Sequence, residues 1–263
     1  AGYSGNASIL SWIILSIFGI CMSLYFSELV ALFPKAGGVY EFSKQAYNRF
    51  TSFMMGWLAW LVGNLTTALL IVAAIDYLIP DQSKFILKIA VSIFLIIALN
   101  AIAFYGIEAS GFIVVVLSSL SIVLILSVIF PGIFFVEHGN LSPFMEFGTL
   151  SIIATIFFIA ESFFGWESAT YLSEETKNPE KIIPKALVLG TVIVGVLATL
   201  LSLVSLGIIP WRILIAESAP LSLVFERIYG SFGSLLNYGV FVALIGSAAG
   251  GIITMPRLIL ALA

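Results

Sequence analysis

The chain has 263 residues, 61% of them hydrophobic and only 10% charged, with a formal net charge of −3. A soluble domain carries about 25% charged residues, so this composition excludes a water-soluble globular fold and indicates a polytopic membrane protein. The single cysteine, Cys21, excludes an internal disulfide, and His138 is the single histidine.

Seven apolar segments reach the roughly 20 residues that a spanning helix needs: 9–33, 50–79, 85–105, 111–136, 150–172, 186–209 and 232–263. The runs are continuous rather than alternating, so the predicted fold class is all-α in one transmembrane domain. The first segment is too long for a signal peptide and lacks a basic flank. Cys21 within it reads as a small apolar residue. The chain starts without Met and stops at Ala263 inside an apolar run, and the expectation is the middle of a longer protein.

After the first segment, Pro34-Lys35-Ala36-Gly37-Gly38 is turn-forming and leads into an amphipathic stretch through Tyr47 that suits the membrane interface. The loops 80–84 and 106–110 are tight, so the segments they join form antiparallel hairpins. His138 falls in an outer loop, as a solvated surface residue. Residues 210–231 mix Trp211, Leu214, Ile215, Leu221 and Phe225 with charges, which predicts short surface helices over a vestibule. In the last segment, Gly246 and Gly250 are spaced for close helix approach, a packing role that needs no further function.

With the first residues outside, Lys35, Lys44, Arg49, Lys177, Lys181, Lys185 and Arg257 fall on the inner side, and Lys84, Lys88, Arg212 and Arg227 on the outer side. The excess of inner cations places the amino end on the extracytoplasmic face of a cell membrane.

The most informative stretch is Glu161-Ser162-Phe163-Phe164-Gly165-Trp166-Glu167-Ser168, inside the fifth segment. A carboxylate near the bilayer centre costs roughly 2.5–3.5 kcal/mol on insertion scales, and Gly weakens a helix by about 1 kcal/mol relative to Ala. A span holding both is expected to expose backbone and charge to a cavity rather than to hydrocarbon. Glu161 and Glu167 are six residues apart, so an unbroken helix would set them on different faces.

Several blocks together resemble the amino acid–polyamine–organocation family of permeases. Tyr25-Phe26-Ser27-Glu28-Leu29 through Gly37-Gly38-Val39-Tyr40 is similar to the family's second span and Gly-Gly loop. Gly165-Trp166-Glu167-Ser168-Ala169, then Glu174-Glu175-Thr176-Lys177-Asn178-Pro179 and Ile183-Pro184-Lys185-Ala186, is similar to its sixth span and inner loop. Ser162–Ser168 is nearest in motif to the arginine/agmatine antiporter branch. The resemblance implies a leucine-transporter-type fold of two inverted five-helix repeats, with this chain covering the second to eighth helices. The first helix and helices nine to twelve would lie outside it, and the sixth would be broken near Phe163–Trp166. It also implies a secondary transporter of amino acids or polyamines, working by alternating access and coupled to protons, to sodium or to exchange. No cofactor and no nucleic-acid partner are implied. A homodimer in the lipid bilayer is one expectation.

The same resemblance nominates Ala59, Trp60, Asn64, Glu161, Ser162, Phe164, Gly165 and Trp166 for substrate binding. Each keeps a structural alternative. Asn64 either lines the substrate site or bonds a neighbouring helix. Glu161, where the antiporter branch carries tryptophan, contacts a cationic substrate, lends a backbone carbonyl, or pairs with a residue elsewhere. Trp166 closes over substrate or packs, and Trp57 packs. Glu167 is the candidate proton carrier or gate, with Glu161 as second acid, because intramembrane acids are functional by default. Ser121 stands where some proton-coupled relatives carry a lysine. With Ser247 it is a possible cation site, against the alternative that both hydroxyls bond their own helices.

An enzyme is not indicated, since there is no HExxH motif and no His/Ser pairing. A seven-span receptor or a channel is the alternative function. A retinal protein needs a lysine in its last span, and 232–263 has none.

Overall fold

The computed structural model describes residues 1–104, 107–163, 165–217 and 219–263, and among them every regular element is helical. Seven stretches are long and apolar enough to cross a membrane. They are built from α1 (Ser8–Leu32), α3 (Arg49–Leu78), α4 (Phe85–Phe104), α5 (Ile107–Gly132), α6 (Gly148–Ile159) with the 3-10 turns that follow it, α7 (Pro179–Ile208) and α10 (Leu236–Leu262). The short α2 (Val39–Ala46) sits between α1 and α3, and α8 (Trp211–Leu214) and α9 (Pro220–Tyr229) lie in the segment between α7 and α10.

Local chemistry sets most ends. Asn48 caps α3 by accepting from Thr51 N–H at 2.9 Å, and Pro179 occupies the first turn of α7, where its missing N–H costs nothing. Two boundaries differ from the sequence expectation. Residues 107–110 belong to α5 rather than to a loop, since nothing in Ile107-Glu108-Ala109-Ser110 breaks a helix. α7 starts seven residues before the apolar run, because Glu180, Lys181 and Lys185 lower the hydropathy without lowering helix propensity.

Helix pairs meet along small residues, as expected where lipid competes for every apolar face. α1 lies along α7. There a Cβ on Gly19 would stand 3.4 Å from Thr191, and one on Gly195 would stand 2.9 Å from Ser16. Ser27 Oγ also donates to Pro184 O across this seam at 3.2 Å. α3 lies along α10, where Gly63 faces the end of the Met255 side chain and Gly251 faces Thr67, so that a Cβ at either glycine would force its neighbour to shift. Of the glycine pair expected to make close contacts, only Gly246 does so: its Cβ would meet Leu117 of α5 at 2.6 Å, whereas Gly250 faces open space.

The buried core has two main parts. Ile71, Ala74, Ile75, Leu99, Ile245, Ala248 and Ala249 join α3, α4 and α10. Val128, Val204, Ile208, Val224, Phe225 and Val240 join α5, α7, α9 and α10. The α1–α2 loop docks through its glycines. Gly37 (φ 98°) and Gly38 (φ 43°) hold conformations that L-residues rarely adopt, and Gly38 presses onto Thr170 and Tyr171.

Candidate functional site

The site is organised by an interruption in the fifth span. α6 ends at Ile159 and gives way to a 3-10 turn over Ala160–Phe163. Gly165 then takes φ 104° and ψ −20°, and a second 3-10 segment runs over Trp166–Glu175. Glu167 reaches back across this bend, its Oε2 accepting from Gly165 N–H at 2.8 Å. A carboxylate on a backbone N–H is a charge-assisted hydrogen bond, roughly twice as strong as a neutral one. It satisfies a donor that the loss of α-helical pairing releases.

Beside the bend lies a cavity of about 260 Å³. α3 contributes Ala59, Val62, Gly63, Thr66 and Leu70, spaced by three and four residues along one face. α10 contributes Ser247, Gly250, Gly251 and Met255, and the bend adds Gly165, Glu167 and Ser168. Among these lining residues Glu167 is the one ionisable side chain, so the lining holds one acid and no base. Glu161 adjoins it, its Oε1 accepting from Thr66 Oγ1 at 3.0 Å. Glu167 and Ala59 also line a neighbouring, mostly apolar cavity of about 240 Å³ with Leu15, Phe18 and Phe26. A third cavity, of about 430 Å³, lies against α7 and is lined by Ser162, Thr191 and Thr254.

The expected site residues are distributed among these spaces. Ala59, Gly165, Glu167 and Ser247 share the first cavity, Ser162 lines the third, and Glu161 joins the first through Thr66. Trp60 and Asn64 stand one residue round α3 from the lining stripe. Trp60 packs with Tyr171, Met255 and Leu258, and Asn64 Nδ2 donates to Trp60 O at 2.7 Å within its own helix. Phe164 lies outside the described residues, and the backbone of Trp166 opens the second 3-10 segment. Ser121 Oγ donates to Leu117 O at 2.9 Å and Ser247 Oγ to Ala243 O at 3.3 Å, so each hydroxyl bonds its own helix. The sequence reading missed Gly63, Thr66, Thr67, Gly251 and Met255 as neighbours of this site. The signal for Gly63 and Thr66 was present, since they follow Ala59 at helical spacing.

The sequence profile described as "Amino acid permease" matches residues 1–263. The chain is 25% identical to the serine/threonine exchanger SteT of Bacillus subtilis, over 99% of this chain and 61% of that protein. It is 24% identical to cationic amino acid transporter 4 of Mus musculus, over 99% of this chain and 44% of that protein. It is 29% identical to the methylthioribose transporter of Bacillus subtilis, over 79% of this chain and 49% of that protein. The chain thus spans about half the length of these relatives.

Proposed function

The chain belongs to the amino acid permease family, and from that premise we propose that the whole protein is a secondary transporter of amino acids or related amines working by alternating access. The observation that carries this reading is the cavity beside Gly165, whose one ionisable lining group is the carboxylate of Glu167. Such a space favours a solute bearing an ammonium group. The bend beside it leaves backbone groups available to that solute, as in broken-helix transporters. In this reading the interrupted fifth span is the broken helix of an inverted-repeat fold, and the amino end faces outward.

Glu167 is the proton-sensitive gate. Its bond to Gly165 N–H weakens on protonation, which loosens the bend. Glu161, held by Thr66 on the cavity's edge, acts in substrate selection, and Asn64 and Trp60 come into play as the adjoining face of α3 turns toward the solute. Ser247, with Ser121, is the alternative route for coupling, to sodium. Relatives named for serine and threonine, for cationic amino acids and for methylthioribose leave the substrate class broad.

The test is uptake and exchange by the full-length protein in proteoliposomes, against labelled neutral, cationic and branched-chain amino acids, amines and methylthioribose. Saturable transport of an amine-bearing solute, with counterflow, is expected. A conductance that neither saturates nor shows counterflow would establish the channel reading instead.

A further inference from the structure

The cations of this protein are neutralised unevenly. At one end of the bundle Lys84 pairs with Asp81, Lys88 with Asp76, Arg212 with Glu146 and Arg227 with Glu137. At the other end Lys35 and Lys44 both pair with Glu41, and Arg257 pairs with Glu175. Among the described residues Arg49, Lys177, Lys181 and Lys185 have no carboxylate in ion-pair contact, and all four stand at this second end. Three of them fall within nine residues at the start of α7, and all three are exposed.

Their setting is membranous. Glu174 Oε1 accepts from Ala36 N–H at 3.3 Å and Glu175 bonds Arg257 at 3.2 Å, so the chain just before Lys177 is pinned beside the α1–α2 loop and the last turns of α10. Lys181 and Lys185 then follow one turn apart on α7, about 6 Å along its axis. The face continues into the bilayer with Ile182 and Leu189, which are 48% and 61% exposed. Acids near the row are accounted for or apart from it. Glu174 and Glu175 are engaged as above, and neither Glu180 nor Glu28, next to the Ser27 that meets Pro184, forms an ion pair with a lysine.

We propose that Lys177, Lys181 and Lys185 form a binding site for the headgroup of an anionic phospholipid in the adjoining leaflet. The two helix-borne ammonium groups straddle the phosphate, Lys177 caps it from the loop, and the acyl chains lie along Ile182 and Leu189. Unpaired lysines in a solvated loop would bind counterions alone. Here the apolar face below them selects a ligand that carries both an anion and hydrocarbon. Each lysine near a charged bilayer surface contributes about 1 kcal/mol, so losing two corresponds to roughly a 10- to 30-fold drop in affinity.

Native mass spectrometry of the full-length protein, released from nanodiscs of equimolar phosphatidylcholine and phosphatidylglycerol, tests this. Retained phosphatidylglycerol in excess of phosphatidylcholine is expected. That excess should fall roughly 10- to 30-fold in Lys181→Gln/Lys185→Gln, survive in the double Arg variant, and be untouched by Lys44→Gln, whose lysine already has a carboxylate. Equal retention of the two lipids by the parent protein overturns the proposal even if the Gln variant fails to fold. So does displacement of the bound lipid by millimolar glycerol phosphate, which would make this a soluble-phosphate site.

Discussion

Glu167 both bonds the bend and is the one ionisable group among the cavity's lining residues, and substitution separates the two roles. Glu167→Gln keeps an oxygen for Gly165 N–H but removes the charge and the titration. It should flatten the pH dependence of transport while leaving substrate affinity within a few-fold, whereas Glu161→Gln should change affinity and leave the pH profile alone. Initial rates across a pH series check both, and an unchanged profile in Glu167→Gln would move coupling to the Ser247 region. Gly165 and Gly250 offer a paired comparison. Neither would crowd a neighbour if given a Cβ, but only Gly165 has a positive φ. Gly165→Ala should therefore cost about 1–3 kcal/mol from backbone strain alone. Gly250→Ala, inside α10, should gain up to about 1 kcal/mol and raise KM by narrowing the cavity. Thermal unfolding of the full-length variants in detergent, with KM measured alongside, separates the two outcomes.

At the scale of helices, stability comes from seams that admit no side chain and from polar groups that have partners. A valine at Gly246 would drive into Leu117, where even a Cβ stands at 2.6 Å, and Gly246→Val should cost about 1–3 kcal/mol through overpacking. The α3–α4 hairpin has a different fastening. Lys88 Nζ lies 2.6 Å from Asp76 Oδ1 with its side chain only 11% exposed. Removing one partner of a pair costs about 3–5 kcal/mol when burial is complete. Asp76 is 31% exposed, so Asp76→Asn should cost less, about 1–3 kcal/mol. Lys88→Met with Asp76→Leu together should recover most of that loss. A double-mutant cycle on unfolding midpoints checks it, and equal effects of the single and double variants would exclude the pair as a fastening.

Across the whole molecule, two polar layers close the ends of an otherwise lipid-exposed bundle. At one end Asn6 Nδ2 donates to Asn140 O at 3.0 Å, and Asn140 Nδ2 donates to Gly207 O and Ile208 O at 2.9 and 3.2 Å, joining the amino end, the α5–α6 loop and α7. At the other end the α1–α2 loop, the 3-10 segment and α10 meet through Ala36–Glu174 and Glu175–Arg257. The Glu175–Arg257 pair is partly exposed, at 36% and 19%, so its coupling should be only about 0.5–1 kcal/mol. Gly38→Ala at the same junction should be far more damaging, because it combines a positive φ with a clash against Thr170 and Tyr171. Thermal midpoints of Glu175→Gln and Gly38→Ala in the full-length protein rank the two. A larger loss in Glu175→Gln would show that charge, not backbone geometry, holds this layer.

Hydropathy alone determined the membrane class and the seven spans, because lipid requires long unbroken apolar runs and tolerates no exposed strand edge. The cost of two acids and a glycine inside one span also marked Glu161–Glu167 as the place to look. Which side chains share a cavity was a different matter. Asn64 and Gly63 are adjacent in sequence, yet only Gly63 lines the space beside Gly165, since one residue is a 100° turn of the helix and the rotation of α3 is set by where Gly63 meets Met255. The same limit applies to the two glycines of α10. Gly246 and Gly250 look alike as a spacing motif, but one is filled by Leu117 and the other opens on the cavity, a distinction made by the helix packed opposite. Periodicity is local and survives in the sequence. The relative rotation of helices is a property of their contacts, and it decided the site.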